Sequence, residues 1–334
     1  MMKHIVSVGP MHSVVAEMAD LPPITADEIR IRNKLVGVCR SEHDAWKAAQ
    51  PGQAFGHEPM GCVVEVGANV KDWHVGDRIA GMWGGTLPGS GGFCEYANVN
   101  PAHNNTLMHV PDGLRDDEVM AEPLACIFSA VSKVRKGVPG TPVAVVGCGY
   151  MGCGAISLLK ACGAYVVAID IRPECLKYAA QFGADETHLA DEAREKFEAR
   201  VGFNDTGFAA VMEWGETNES LDLAIHITRM CGQLCIGAYH TGGKRLVDVQ
   251  RLNLFAIDCL STHPREPELS RQGAHSALRM LASGEWKFRG VPTMIYPRNQ
   301  FDRAQAELET KYGRFIKSAI DMTMADGEPY LVGV

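Results

Sequence analysis

Apolar and polar positions change rhythm twice along this chain. Up to residue 118, short β-branched runs such as CVVEV (Cys62 to Val66) and DRIAG (Asp77 to Gly81) are separated by glycine and proline. That pattern predicts an all-β domain with few helices. From residue 119 to 285, apolar runs alternate with amphipathic segments of helical length. VAVVG, YVVAID, AAVMEW, QLCIGAY and AIDCLST are the expected strands, and MGCGAISLLKACG and RPECLKYAAQFGAD are expected helices. Pro173 in the first turn of the second helix and Gly183 just past its end suit its termini. Strands alternating with helices predict βαβ units and a doubly wound parallel sheet.

After residue 286 the pattern is mixed again, with TMIYP, the polar helix-like run FDRAQAELETKYG, and FIKSAIDMTM, from which a strand is expected to pair back onto the first domain. The final ADGEPYLVGV reads as a loosely held tail or a partner contact. The expected organisation is one β-rich domain of residues 1–118 and 286–334 and one α/β domain of residues 119–285.

Composition narrows the class. The 334 residues give room for two cores, and 46% hydrophobic with 22% charged residues fits a globular protein. The formal charge is −8 with no lysine or arginine block, which argues against a nucleic-acid partner and favours a small uncharged or cationic ligand. No apolar run reaches the ~18 residues of a membrane helix, and the N-terminus lacks a secretory leader pattern, so no membrane partner and a cytoplasmic location are expected. Eleven cysteines, an odd number without a C-x-x-C pair, speak against a disulfide framework or a four-cysteine zinc knuckle. Cys62, Cys126, Cys148, Cys162, Cys235 and Cys259 lie among apolar or small neighbours and read as buried thiols, whereas Cys39 lies in the polar run CRSEHD.

Gly147, Gly149 and Gly152 form G-x-G-x-x-G directly after an apolar strand and at the start of a helix, with Tyr150 and Met151 between the last two glycines. In such a turn the first glycine allows the tight bend, the second admits a pyrophosphate, and the third lets helix and strand pack closely. The helix start then offers free N–H groups to phosphate. A glycine turn alone is common, but the next strand ends in Asp170, 18 residues after Gly152, where a carboxylate meets the adenine ribose. A carboxylate accepts from a 2′-hydroxyl and repels a 2′-phosphate, so NAD is expected over NADP. Arg172 in the same turn is either a phosphate contact or a solvated side chain.

Cys39, His57, Glu58 and Glu122 supply thiolate, imidazole and carboxylate donors of the kinds that hold one zinc ion with a position left open. Each has a plainer reading: a buried thiol for Cys39, a surface pair for His57 and Glu58, and a helix-start acid before Pro123 for Glu122. Trp46, Trp83, His263 and Arg265 are candidates for lining a substrate pocket, with packing or surface as the plainer role of each.

The segments GVCRSEHD, GHEPMGCVVEVGANVKDWHVGDRIAG, AEPLAC and VVGCGYMGCGAISLLKACGAYVVAID together resemble the zinc-dependent medium-chain dehydrogenases, nearest to their polyol, sorbitol-like branch. The resemblance covers nearly the whole chain. It implies a GroES-like β-rich catalytic domain, a Rossmann domain, an active site in the cleft between them, and assembly into a homodimer or homotetramer. It makes Cys39 and His57 zinc ligands, Glu58 a ligand or exchangeable carboxylate, and Glu122 a ligand directly or through water. Ser41 becomes the first member of a proton relay. The family often has histidine five places after the first ligand; this chain has Asp44 there and His43 one place earlier. Many members also carry four closely spaced cysteines where this chain has GMWGGTLPGSGGFCEYANV with Cys94 alone, so one catalytic zinc and no structural zinc is expected.

The activity implied is transfer of a hydride between a secondary alcohol (a polyol, sugar derivative or inositol) and NAD. Two other readings are a zinc-free, NADPH-dependent enone or quinone reductase of the same superfold, and a dinucleotide-binding protein without catalysis.

Overall fold

The computed structural model describes residues 1–83, 92–104, 106–136, 139–202, 206–311 and 313–333. Most of the GMWGGTLPGSGG stretch therefore lies outside the described residues. Contacts divide the chain into two compact units, one of Met1–Ala125, Ser270–Ala282 and Arg289–Val334, the other of Cys126–Leu269 and Ser283–Phe288. The divisions fall after Ala125, Leu269, Ala282 and Phe288.

In chain order the strands are β1 (Met2–Gly9), β2 (His12–Met18), β3 (Ile29–Val38), β4 (Pro59–Val66), β5 (Arg78–Ala80), β6 (Tyr96–Val99), β7 (Met108–His109), β8 (Pro142–Val146), β9 (Tyr165–Asp170), β10 (Glu186–Leu189), β11 (Phe208–Glu213), β12 (Thr228–Ile236), β13 (Asp258–Ser261), β14 (Thr293–Pro297), β15 (Lys317–Asp321) and β16 (Tyr330–Val332). The helices are α1 (His43–Lys47), α2 (Ala121–Ser132), α3 (Tyr150–Ala161), α4 (Pro173–Gln181), α5 (Ala190–Phe197), α6 (Asn218–Ile227), α7 (Val249–Leu254), α8 (Pro267–Ser283) and α9 (Phe301–Thr310).

The first unit holds a hairpin of β1 and β2 and a sheet ordered β16-β14-β15-β3-β4-β5-β7, with β6 also on β3. Its spine is β3, IRIRNKLVGV, whose first half alternates buried and half-exposed residues before every side chain is buried. The one polar residue in that buried series, Asn33, is satisfied: its amide donates to the carbonyls of Gly92 (3.1 Å) and Cys94 (2.8 Å) and accepts from Trp83 Nε1 (2.8 Å). Trp46, Phe55, Phe93, Tyr296 and Phe301 fill one core beside the sheet, and each such side chain contributes roughly 2–3 kcal/mol by leaving water. Trp46 and Trp83 are both buried.

The C-terminal region pairs as FIKSAIDMTM suggests, with β15 antiparallel to β3. The tail departs from expectation: Tyr330–Val332 forms an edge strand on β14, because main-chain pairing there needs only three residues of extended chain.

The second unit is a six-stranded parallel sheet in the order β10-β9-β8-β11-β12-β13. In order of appearance that is 3-2-1-4-5-6, the Rossmann arrangement, and the order reverses between β8 and β11, where such sheets bind ligands at their strand ends. The expected strands and the two expected helices are present. β10, too polar to be read from ETHL, is added by pairing with β9. β13 forms one edge of the sheet and is largely exposed.

Candidate active site

Three strands of the first unit carry the metal-competent cluster. β3 ends at Val38, and Cys39 follows as the cap of a single 3-10 turn, Arg40 to Glu42, that leads into α1. β4 pairs antiparallel with β3, setting Val36 against Pro59, so His57 and Glu58 arrive beside the end of β3. β15 pairs Ser318 with Val38, which brings Lys317 alongside. Gly37 is required here, because a Cβ at that position would overlap the Glu58 carboxylate.

One donor atom each of Cys39, His57 and Glu58 lies within 4.8 Å of the other two. His57 Nδ1 is 2.9 Å from Glu42 Oε1, which also accepts from the Gly56 N–H at 2.7 Å. A carboxylate on one ring nitrogen fixes the tautomer and leaves the other nitrogen free to bind metal. The set is sulfur, nitrogen and oxygen, buried or half-buried and backed by a second carboxylate, and it fits zinc.

Glu58 is 1% exposed and is ion-paired to the ammonium of Lys317, itself 7% exposed, which also donates to the Val38 carbonyl at 3.3 Å. Burial alone would lower the lysine pKa, but the charges of Glu58, Cys39 and Glu122 outweigh it and hold the ammonium above its ordinary value. Burial, reinforced by Glu58, pushes the Cys39 thiol up, with His57 and Lys317 pulling the other way. Burial opposes a charge on His57, yet its hydrogen bonds to Cys39 and Glu42 push its pKa up to about 12. A bound metal would favour the deprotonated sulfur and the neutral imidazole as its ligands.

Glu122, in the first turn of α2, is half-buried and stands outside the close cluster, although its charge reaches Lys317. Ser41 Oγ donates to Cys39 Sγ at 3.2 Å. His43 is 1% exposed; its Nε2 lies 3.0 Å from the half-exposed Glu309 carboxylate, while its Nδ1 is buried without a hydrogen-bond partner among the described residues. Asp44 follows it in α1 and is half-buried.

Glu42, Lys317 and Glu309 escaped sequence reasoning. Glu42 had a signal, standing three residues after Cys39 in the same polar run. Lys317 had a weaker one, a lone cation inside the apolar FIKSAID. Glu309 had none.

In the second unit, Gly147 takes φ +95° and Gly149 caps α3, leaving the first N–H groups of the helix without a side-chain cap. A Cβ on Gly152 would overlap the Gly147 carbonyl, so the close packing expected of the third glycine is present. Tyr150 and Met151 form the first turn of α3, half-buried, with the Tyr150 ring 5.1 Å from that of Phe288. Asp170 ends β9 with its side chain 3% exposed. Its carboxylate accepts from the backbone N–H of Cys148 (2.7 Å) and from the backbone, Nε and Nη2 of Arg172 (2.9, 3.1 and 3.2 Å). Those four donors match the roughly four acceptor positions a carboxylate has. His263 lies with its ring centroid 5.8 Å from that of Tyr239, and Arg265 stands over Tyr239.

Residues 25–112 match the alcohol dehydrogenase GroES-like domain and residues 151–268 the zinc-binding dehydrogenase domain. The chain is 31% identical over 211 residues to an alcohol dehydrogenase of Geobacillus stearothermophilus, a span covering 54% of this chain and 62% of that relative. It is 27% identical over 254 residues to the sorbitol dehydrogenase of Bacillus subtilis, covering 66% and 70%. Its fold matches that of acetophenone reductase from Geotrichum candidum in complex with NAD, with a TM-score of 0.78 at 19% identity over 96% of this chain and 97% of that one. Two matched domains spanning more than half the sequence, in the order and on the sheets that the geometry requires, place the chain in the zinc-type medium-chain dehydrogenase family.

Proposed function

We propose that this protein oxidises a secondary alcohol, of the polyol, sugar-derivative or inositol class, to the ketone with NAD as hydride acceptor and one zinc ion per chain. The observation that carries this reading is the convergence of Cys39, His57 and Glu58, with Glu42 fixing the imidazole. Cys39 Sγ, the free nitrogen of His57 and a carboxylate, Glu122 or Glu58, would hold the metal. Zinc, when bound, supplies Lewis acidity that brings hydroxyl deprotonation toward neutral pH.

The chain supplies the rest. Lys317 holds Glu58 and offsets its charge, so that Glu58 is the exchangeable carboxylate and Glu122 the alternative donor. If Cys39, Glu58 and Glu122 all bound as anions, the Lewis acidity would be blunted; the ammonium beside Glu58 limits that. Ser41 takes the substrate proton onward, and His43, its Nδ1 without a partner among the described residues and its Nε2 on Glu309, is placed to pass it to the surface, with Asp44 beside it. A glutamine at His43 is expected to lower kcat by about 10²-fold with zinc content unchanged, and added imidazole should restore part of a His43→Ala variant's rate. No loss of rate in either variant would remove His43 from the path.

In the second unit the glycine turn Gly147, Gly149 and Gly152, with Tyr150 and Met151, cradles the pyrophosphate, and Asp170 faces the adenine ribose. The saturated Asp170 sets a condition on NAD binding. A ribose hydroxyl gains an acceptor only when the Arg172 guanidinium, 40% exposed, swings away. Asp170→Ala is then expected to weaken NAD by about tenfold, about 1.4 kcal/mol, and NADP much less, because the freed Arg172 can meet a 2′-phosphate. An unchanged NAD to NADP ratio of kcat/KM would refute the ribose role.

The reaction is tested by following NAD reduction across polyols, sugar alcohols and hydroxy acids. Turnover of at least one secondary alcohol is expected; cofactor binding without turnover of any would favour a non-catalytic role. Sedimentation of the same preparation reads its assembly, expected as a dimer or tetramer of a cytoplasmic protein, with the exposed edge of β13 available for pairing.

A further inference from the structure

The dinucleotide turn rests on a polar network anchored in the core. β11 ends at Glu213, which is fully buried. Its Oε1 accepts from the N–H groups of Gly215 (2.8 Å) and Glu216 (2.9 Å) and from the Ser220 hydroxyl (2.7 Å). Its Oε2 is 2.9 Å from His240 Nε2. His240 Nδ1 in turn accepts from Arg245 Nε at 3.2 Å, which assigns the donor hydrogen to Nε2 and a neutral ring with both nitrogens used. Arg245 Nη2 closes the loop by donating to the Glu216 carbonyl at 3.0 Å, and the Glu216 carboxylate accepts from the backbone and hydroxyl of Thr241 at 3.0 and 2.9 Å.

Two residues of this network, Glu216 and His240, hold left-handed backbone at φ 64° and 52°. Side-chain-bearing residues rarely stay there unless their surroundings over-determine them. The held segment is the floor of the glycine turn. The Trp214 N–H donates to the Val146 carbonyl at 2.7 Å, and a Cβ on Gly147 would come within 2.7 Å of the Trp214 carbonyl carbon and 2.8 Å of the Gly215 nitrogen. A loose floor, or an unbalanced buried carboxylate one residue from it, would work against a pyrophosphate on the turn above.

We infer that His240 and Arg245 are positioning residues for the dinucleotide: through Glu213 and Glu216 they lock residues 214–216 beneath the Gly147 turn, His240 by donating to the buried carboxylate and Arg245 by holding His240 and the Glu216 carbonyl. The inference rests on the dinucleotide reading given above. His240→Leu deprives Glu213 of a donor and Arg245 of an acceptor, whereas His240→Gln keeps a donor toward Glu213. Arg245→Met removes the latch from a half-buried side chain and leaves Glu213 with His240.

In His240→Leu and Arg245→Met the Kd for the preferred dinucleotide, read by nucleotide fluorescence, is expected to rise about tenfold. Saturating kcat should stay within about twofold, and His240→Gln should recover most of the affinity. A merely structural role would lower the melting temperature and the active fraction without moving Kd. Unchanged Kd in Arg245→Met, with wild-type protein binding normally, overturns the inference alone. Wild-type protein binding neither NAD nor NADP overturns the dinucleotide reading with it.

Discussion

Replacing Cys39 by serine is expected to lower kcat/KM for alcohol oxidation by about 10³-fold, ~4 kcal/mol of transition-state stabilisation, while dinucleotide affinity stays within about twofold. The size follows from ligand chemistry. Thiolate is a strong zinc donor, a neutral serine hydroxyl is a poor one, and without the metal the hydroxyl proton must leave at its unassisted pKa. The backbone gives no reason for collapse. Cys39 is an extended cap residue at φ −103° and ψ 139°, a conformation in which serine is favoured. Metal analysis should show zinc well below one ion per chain in the variant. A Cys39→Ser protein with full zinc and full activity would remove Cys39 from the metal centre.

Lys317→Met is the second large effect, and it falls on stability. With Lys317 gone, Glu58 is a carboxylate with its side chain 1% exposed that has lost its ammonium partner. Breaking a buried pair from one side costs about 3–5 kcal/mol, which corresponds to a fall in Tm of about 10 °C for a unit of this size. Adding Glu58→Gln removes the stranded charge, so the double variant should regain most of the loss. Zinc-loaded Lys317→Met should also turn over slowly, because an unheld Glu58 is free to add its negative charge to the metal. A single variant melting within 1–2 °C of wild type would show that Glu58 does not depend on Lys317 for compensation.

The contrast between these two residues shows what was legible in the chain. Cys39 and His57 could be picked out because their donor types, the polar company of one and the turn setting of the other are local properties. Lys317 gave only a weak signal and its role none, because its partner lies 259 residues away and the two meet only through the placement of β15 and β4 on either side of β3. Glu309 is similar, reaching His43 across 266 residues. In the second unit, the strands and the glycine turn were readable because βαβ units are local, contiguous segments with their own periodicity. The ETHL strand was not, having too few apolar residues to declare itself without β9.

Two further differences are about degree rather than position. Asp170 was legible as a strand-end carboxylate, but its saturation by Cys148 and Arg172 depends on side-chain geometry that no spacing carries. The YLV of the tail was too short to suggest a strand until β14 offered an edge.

Zinc dependence is tested most directly by removing and restoring the metal. Chelator-treated protein should bind the dinucleotide normally yet reduce none of it with an alcohol that the untreated protein oxidises, and activity should return in proportion to added zinc, saturating at about one ion per chain. Full alcohol-dependent NAD reduction by protein shown to be free of metal would contradict a catalytic zinc at Cys39, His57 and their carboxylates.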